Sequence, residues 1–362
     1  MELSEQLRRV AEDSGLGGFG VAEAGPFSWV RDELERRLRE GSNGSLRFTY
    51  ADPVRSTEVR RSFPWAERLV VAAWGYLPDA GTPGGRRAGT GRIARFATED
   101  HYRGLRDGLA SIARVLHGAG WRAEVLADDN RLVDRAAAVR AGIAWWGKNA
   151  QVLMPGFGPW TLLGSVVTDA PLPPSVPMRR DCGSCRACLP ACPTGALVAP
   201  GILDARLCLA YWAQAPGVIP RSLRRAMGDR IYGCDDCLEA CPPGRRLLEA
   251  AGQRRGRVSL AEVLGADDRG LRRRFAHWYV PRNDVRHVRR NALVALGNVG
   301  GRGAVGIAAG YAGHPDWLLR AHAVWALGEL GGSTAAAAVR AVAARERHPE
   351  VLEEIEGTLA GC

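Results

Sequence analysis

Lysine is almost absent from this 362-residue chain: of 49 basic residues, only Lys148 is a lysine. No run of about 18 uninterrupted apolar residues occurs, so a membrane-spanning helix is not expected. No G-x-G-x-x-G follows a predicted strand and no G-x4-G-K-[ST] is present, which leaves Rossmann and P-loop nucleotide sites unsupported. The seven histidines are isolated and lack ligand spacing, so a metal held by imidazoles is not expected either. Arg8 and Arg9 form a twin arginine, but no apolar core follows it. A secretory or Tat signal is therefore not expected, and a cytoplasmic location is.

Positive charge and cysteine are what the chain has in excess. The formal net charge is +10, with a pI near 9.5, as suits an anionic partner such as nucleic acid. A genome biased towards arginine would produce the same figure. The hydrophobic fraction of 46% and charged fraction of 24% are those of a soluble globular chain, and the length points to two or three domains. Nine cysteines in a cytosolic protein are seldom disulfides, so their spacing decides their use.

The first run, Cys182-x2-Cys185-x2-Cys188-x3-Cys192-Pro193, has the bacterial ferredoxin spacing, in which the fourth cysteine serves a second [4Fe–4S] cluster. A second run, Cys234-x2-Cys237-x3-Cys241-Pro242, is one cysteine short, and the isolated Cys208 makes up the number. The count closes with Cys182, Cys185, Cys188 and Cys241 on one cluster and Cys192, Cys208, Cys234 and Cys237 on the other. Cys362 is left over. Zinc is the competing ligand for C-x2-C pairs. It leaves the paired C-x3-C-P endings unexplained and strands two cysteines per site. Two oxidised clusters of about −2 each would bring the net charge to roughly +6. Such clusters carry single electrons to a redox centre or partner beside them.

Before the cysteines, hydrophobic patterning predicts helices at 3–14, 28–40, 100–119 and 133–142, and strands at 17–22, 67–75, 121–127 and 162–169. That alternation predicts an α+β protein opening with an α/β sandwich. Three segments stand out. Asp128-Asp129-Asn130-Arg131, with Asp134 and Arg135 after it, is a carboxylate cluster behind a strand; a solvated loop ahead of a helix reads the same way. Ala141-Gly142-Ile143-Ala144-Trp145-Trp146-Gly147-Lys148-Asn149 holds the single lysine and two adjacent tryptophans between glycines. A large planar cofactor fits such a face, and so does an ordinary core. The third segment, Gly158 to Asp169, is a strand with small residues such as Gly164 in it.

After the cysteines, Ala295-Leu296-Gly297 and Ala326-Leu327-Gly328 repeat at an offset of 31, each in an alanine-rich helix closed by glycine. These are HEAT-like repeats, and two alone do not make a stable solenoid. An arginine-dense stretch lies ahead of and within them: Arg254, Arg255, Arg257, Arg272, Arg273, Arg274, Arg282, Arg286, Arg289 and Arg290, interleaved with Phe275, Trp278 and Tyr279. Arginine with stacking aromatics suits RNA; solvated helix faces are the plainer alternative. Arg274, Arg282, Arg286, Arg289 and Arg290 are the expected RNA contacts. The expected domains are 1–175, 176–250 and 251–362.

In order along the chain, the Asp128 to Arg135 segment, AGIAWWGKN (141–149), LLGSVVTDAPL (162–172), IYGCDDCLEACP (231–242) and RRNALVALGN (289–298) resemble the epoxyqueuosine reductases. The resemblance runs over nearly the whole chain. It implies a base-off cobalamin in an N-terminal catalytic domain, a ferredoxin-like two-[4Fe–4S] domain and a C-terminal helical repeat that helps hold tRNA. It implies reduction of epoxyqueuosine to queuosine in tRNA, with an external low-potential electron donor and a monomeric chain. Asp128 falls on the family's proton donor. Ala141, Gly142, Trp145, Gly147, Lys148, Asn149 and Gly164, together with Asp128, fall on its corrin lining. Departures surround the substrate side: Arg131 replaces a proline, Asp134 a glutamate and Ala144 a glycine, and Asp100-His101-Tyr102 stands for Asp-Tyr-His. A corrinoid reductase acting on another small molecule and an electron carrier without its own catalytic centre are the alternatives. A carrier would bind no cobalamin.

Overall fold

A computed structural model describes residues 2–77, 88–251 and 256–360. Cys362, Arg254 and Arg255 lie outside these residues. The chain forms two compact units, and neither is continuous in sequence: residues 1–79, 99–206 and 236–251 make the first, and residues 80–98, 207–235 and 252–362 the second. Among the described residues, no helix is long and apolar enough to cross a membrane.

The first unit is built on four antiparallel strands, β1 (Gly17–Glu23), β2 (Arg68–Gly75), β3 (Ala123–Ala127) and β4 (Thr161–Thr168), in the order β1-β2-β4-β3. Leu69 to Ala73 are all solvent-inaccessible, which is why this central strand reads as an unbroken apolar run. Its two faces are covered differently. Leu69, Val71, Ala73, Leu163 and Val167 share a core with Ala136, Ala137 and Ala138 of helix α4 (Asp134–Arg140). The opposite face takes helix α3 (His101–Gly118), whose Leu105 and Leu109 press on Gly164. A Cβ at Gly164 would lie 2.5 Å from Leu109 Cδ1, so its smallness serves helix packing. Helices α1 (Leu3–Asp13) and α2 (Ser28–Glu40) complete the sandwich. Asp100 caps α3 by accepting from Arg103 N–H at 3.2 Å.

The second unit carries α5 (Arg286–Val299), α6 (Ala304–Ala312), α7 (Trp317–Leu330), α8 (Gly332–Ala343) and α9 (Pro349–Leu359). The repeated glycines sit where helices cross. A Cβ on Gly297 would lie 2.9 Å from Ala326 Cα, and one on Gly328 would lie 2.6 Å from Thr358 Cγ2. Gly300 and Gly331, at φ 62° and 68°, end α5 and α7 in a conformation that L side chains rarely adopt. Helix α5 is buried along nearly its whole length. It packs on helices 209–214, 221–227 and 260–265 and on a small sheet in which residues 90–93 pair with 230–232 and 256–259. This sheet gives the repeats the support that two of them lack alone.

The burial of α5 corrects part of the expected RNA surface. Arg290 is fully buried and donates to the carbonyls of Trp212, Ala215 and Gly217 and to Asn291 Oδ1. Arg289 is buried as well, tied to Asp268 at 2.6 Å and to Ala266 O at 2.9 Å. Both are structural cations, because a buried guanidinium has five donors to satisfy and these carbonyls supply the acceptors. Arg286 (paired with Asp284 and Asp316), Arg274 (paired with Glu262) and Arg282 remain exposed.

Candidate functional site

Trp145–Trp146 and Val152–Leu153 form a two-stranded hairpin in the first unit, with Trp145 opposite Leu153 and Trp146 opposite Val152. Successive side chains on a strand point to opposite faces, so the two tryptophans part company. Trp145 and Leu153 face a cavity of about 250 Å³. Trp146 and Val152 face a cleft of about 1110 Å³. One layer of hairpin is therefore a wall common to both spaces. Its turn is tight: Gly147 N donates to Gln151 O at 2.8 Å, Ala150 sits at φ 61°, and a Cβ on Gly147 would lie 2.5 Å from Asn149 Oδ1.

The smaller cavity is lined by Cys182, Cys185, Cys188 and Cys241, with Pro242 and Pro243 beside them. These are the four cysteines that spacing assigned to one cluster. Cys182 to Cys188 bring three thiols from one loop, and Cys241, just ahead of its proline, brings the fourth from 59 residues further on in number. Burial, reinforced by the neighbouring thiols, pushes Cys241 up to about 12 and raises Cys188 too. Burial thus opposes the thiolate form at Cys188 and Cys241, and a bound metal would favour it. Among the described residues, no three His, Cys, Asp or Glu side chains converge as ligands of a single metal ion. Thiols spread around a cavity wall suit a cluster better than one zinc. Cys192 is not on this wall; its Sγ accepts from Ala196 N–H at 3.2 Å.

Lys148 and Asn149 belong to the same cavity, as does Trp145. All three were expected on the corrin side. The backbone N–H of Lys148 lies 3.4 Å from Cys182 Sγ, and its ammonium donates to Gly183 O in the cysteine loop. Asn149 and Trp145 are buried, and neither Asn149 Nδ2 nor Trp145 Nε1 meets an acceptor among the described residues. A buried donor left so costs about 1–3 kcal/mol.

The larger cleft draws on segments far apart in sequence: Trp29 and Arg37 of α2, Phe48, Tyr102 of α3, Leu132 to Arg135, Trp146, Gly147, Ala150 to Val152, Leu162 and Ile202. Of the expected corrin lining, Asp128 and Gly147 are here. Ala141 is buried in the core, and Gly142, at φ 70°, packs so that a Cβ would lie 2.3 Å from Val176 O. With Gly164 under α3, these three are packing positions. Trp29 and Phe48 carry no motif that singles them out, and only the fold brings them beside Tyr102 of the Asp100-His101-Tyr102 triplet.

Asp128 follows β3 at φ 55°, a left-handed conformation that aspartate tolerates better than most residues. Next to it, Arg131 clamps Asp129 with bonds of 2.6–3.1 Å, and this pairing holds Asp129 below the usual carboxylate range. Asp128 goes the other way: burial among the cleft walls and, after the opposing effect of Arg106, the charge of Asp129 raise it. Asp134 is pushed well up by burial and by Asp128, and its Oδ1 finds no partner among the described residues. Neighbouring carboxyls driven apart in this way are the mark of an acid beside a permanent anion.

Comparison with known proteins gives a consistent picture. Residues 181–244 match a 4Fe-4S double cluster binding domain, and residues 282–360 match HEAT repeats. The epoxyqueuosine reductase of Bacillus cereus is 30% identical over 98% of this chain and 96% of its own, and that of Bacillus subtilis is 29% identical over 98% and 95%. A crystal structure of an epoxyqueuosine reductase with an epoxyqueuosine-modified tRNA-Tyr stem loop superposes with a TM-score of 0.90 at 28% identity, covering 99% of this chain and 98% of that one.

Proposed function

The chain belongs to the epoxyqueuosine reductase family, and from that premise we propose that it removes the epoxide oxygen of epoxyqueuosine in tRNA as water. The conversion consumes two electrons and two protons and leaves a cyclopentene. The observation that carries this reading is the common wall: a four-thiol cavity and a cleft large enough for a macrocycle stand on opposite faces of one hairpin.

Cys182, Cys185, Cys188 and Cys241 would hold one [4Fe–4S] cluster; Cys192, Cys208, Cys234 and Cys237, assigned by spacing, would hold the other. The cleft suits cobalamin. Its volume is at or above the range of about 300–1,000 Å³ for drug-sized ligands, and Trp146, Tyr102, Leu162 and Leu163 give it flat, apolar walls. Gly147, where no side chain fits, lets the backbone approach. When bound, the clusters supply single electrons and cobalamin supplies a low-potential cobalt centre for reductive C–O cleavage.

The chain's own residues do the rest. Asp128 holds a proton at its carboxyl oxygen and delivers it to the departing epoxide oxygen. Arg131, where the family resemblance has proline, keeps Asp129 ionised beside it. Trp146, Leu162 and Leu163 would shield the reacting bond from water on their side of the cleft. The Bacillus subtilis enzyme has been solved with an aspartate catalytic loop swung out of its active site, which supports placing the acid on the loop after β3. A tRNA substrate suits a cytoplasmic enzyme, and a low-potential donor would refill the clusters.

Asp128→Asn tests the assignment. It is expected to bind cobalamin and retain both clusters while turnover on epoxyqueuosine tRNA drops about 10²–10⁴-fold. In the parent enzyme, activity is expected to fall as pH rises through the raised pKa of Asp128, because the acid must be protonated. Undiminished turnover in the variant would remove Asp128 from the role.

A further inference from the structure

We propose that Trp145 Nε1–H and Asn149 Nδ2–H are hydrogen-bond donors to the sulfur atoms of the cluster held by Cys182, Cys185, Cys188 and Cys241, and that they raise its reduction potential. The inference deepens the reading above and rests on its cluster assignment. An indole nitrogen donates and cannot accept, so a buried one needs an acceptor from somewhere. The described residues offer none to Trp145, which is only 7% exposed. Asn149, 2% exposed, has its carbonyl oxygen engaged by Gln151 N–H at 3.1 Å, and this fixes the amide with Nδ2 unmatched. Both residues line the same four-thiol cavity. A third donor of this hairpin, Lys148 N–H, is already 3.4 Å from Cys182 Sγ.

Sulfur in a cluster is the acceptor that these positions have in common. Hydrogen bonds to cluster sulfur stabilise the more negative, reduced state and so raise the potential. The WWGKN segment then has a division of labour: Trp146 and Gly147 face the cleft, while Trp145, Lys148 and Asn149 set the electron source behind it.

The test is an anaerobic redox titration of the full chain, followed by EPR, comparing the parent with Trp145→Phe and Asn149→Leu. Each variant is expected to lower the midpoint of one cluster and leave that of the other as an internal reference. A tenfold fall in the reduced-to-oxidised ratio at fixed ambient potential corresponds to about 59 mV for one electron. Unchanged midpoints in variants with full iron and acid-labile sulfide would overturn the proposal. Should the variants fail to assemble the cluster, the parent enriched in ¹⁵N-indole tryptophan decides. A ¹⁵N hyperfine coupling on the reduced cluster is expected, and its absence overturns the proposal. Parent protein without iron would overturn the cluster assignment beneath it, a result distinguishable from a shifted or unshifted midpoint.

Discussion

Four cysteines between residues 182 and 241 turn into one cavity, whereas the arginines between residues 272 and 290 go to quite different ends. Arg290 is a buried strut for three carbonyls, and Arg289 is locked to Asp268. Arg286 joins Asp284 to Asp316, Arg272 reaches Asp268, and Arg282 is exposed at φ 57°. The contrast comes from side-chain length and chemistry. A thiolate ligand must lie within bonding distance of a metal, so its position is fixed to a fraction of an ångström by what it binds. A guanidinium on a long stem finds acceptors in many directions, and carbonyls serve it as well as phosphates do.

The largest effect should fall on the cysteine side. Cys241→Ala removes one corner of a cubane, and iron per chain is expected to fall from about eight to about four, with the second cluster's EPR signal retained. Full iron content in this variant would break the contrast, because a ligand position would then be as replaceable as a surface arginine. On the other side, Arg290→Leu should behave as a core mutation. It strands the carbonyls of Trp212, Ala215 and Gly217 and leaves Asn291 Oδ1 short of a donor, so a loss of about 3–5 kcal/mol in stability is expected. Denaturant titration of the full chain measures it. A stable variant with weakened tRNA binding would return Arg290 to the RNA surface.

This contrast also explains how much could be read before folding. The strands and helices expected before the cysteines fall within about two residues of their bounds, as with 28–40 and 101–118, because hydrophobic period is a local property; short elements such as 145–146 and 152–153 carry too little of it to be read. The first cysteine set closes because its spacing encodes its geometry. Trp145, Lys148 and Asn149, which the resemblance puts on the corrin lining, line the four-thiol cavity: alternation says that neighbours part but not which face meets which cavity. Residues 90–93 were not recognisable as a strand of the second unit, since their partners, 230–232 and 256–259, are more than a hundred residues away. Arg290 offered no local signal of burial, because its acceptors come from a loop some 75 residues upstream.

A smaller effect tests the same buried network by pH. His322 is fully buried, accepts from Ile219 N–H and donates to Leu318 O, so it is held as a neutral ring. Burial, with the charges of Arg224 and Arg290, lowers it well below 6.5. The unfolded chain then binds the extra proton first as pH falls. Stability should be fully present above about pH 6.5 and decline below it, by up to about 1.4 kcal/mol per pH unit from this group. His322→Gln should flatten that limb, and an unchanged slope would remove His322 as its source.

The smallest effect belongs to Arg282, and it carries the question of where RNA touches the second unit. Among the described residues, no acidic partner holds Arg282 in an ion pair of the kind that engages Arg274 and Arg286, so its charge is open to a phosphate. Arg282→Ala should leave stability within about 0.5 kcal/mol of the parent. Binding to tRNA should weaken modestly, and the slope of log affinity against log salt should shrink by about 1, as expected for one lost phosphate contact. Measuring that slope separates the two kinds of arginine better than affinity alone, because a destabilised core lowers active protein without changing how many counterions each binding event releases. An unaltered slope in Arg282→Ala would place the phosphate contacts elsewhere on the chain.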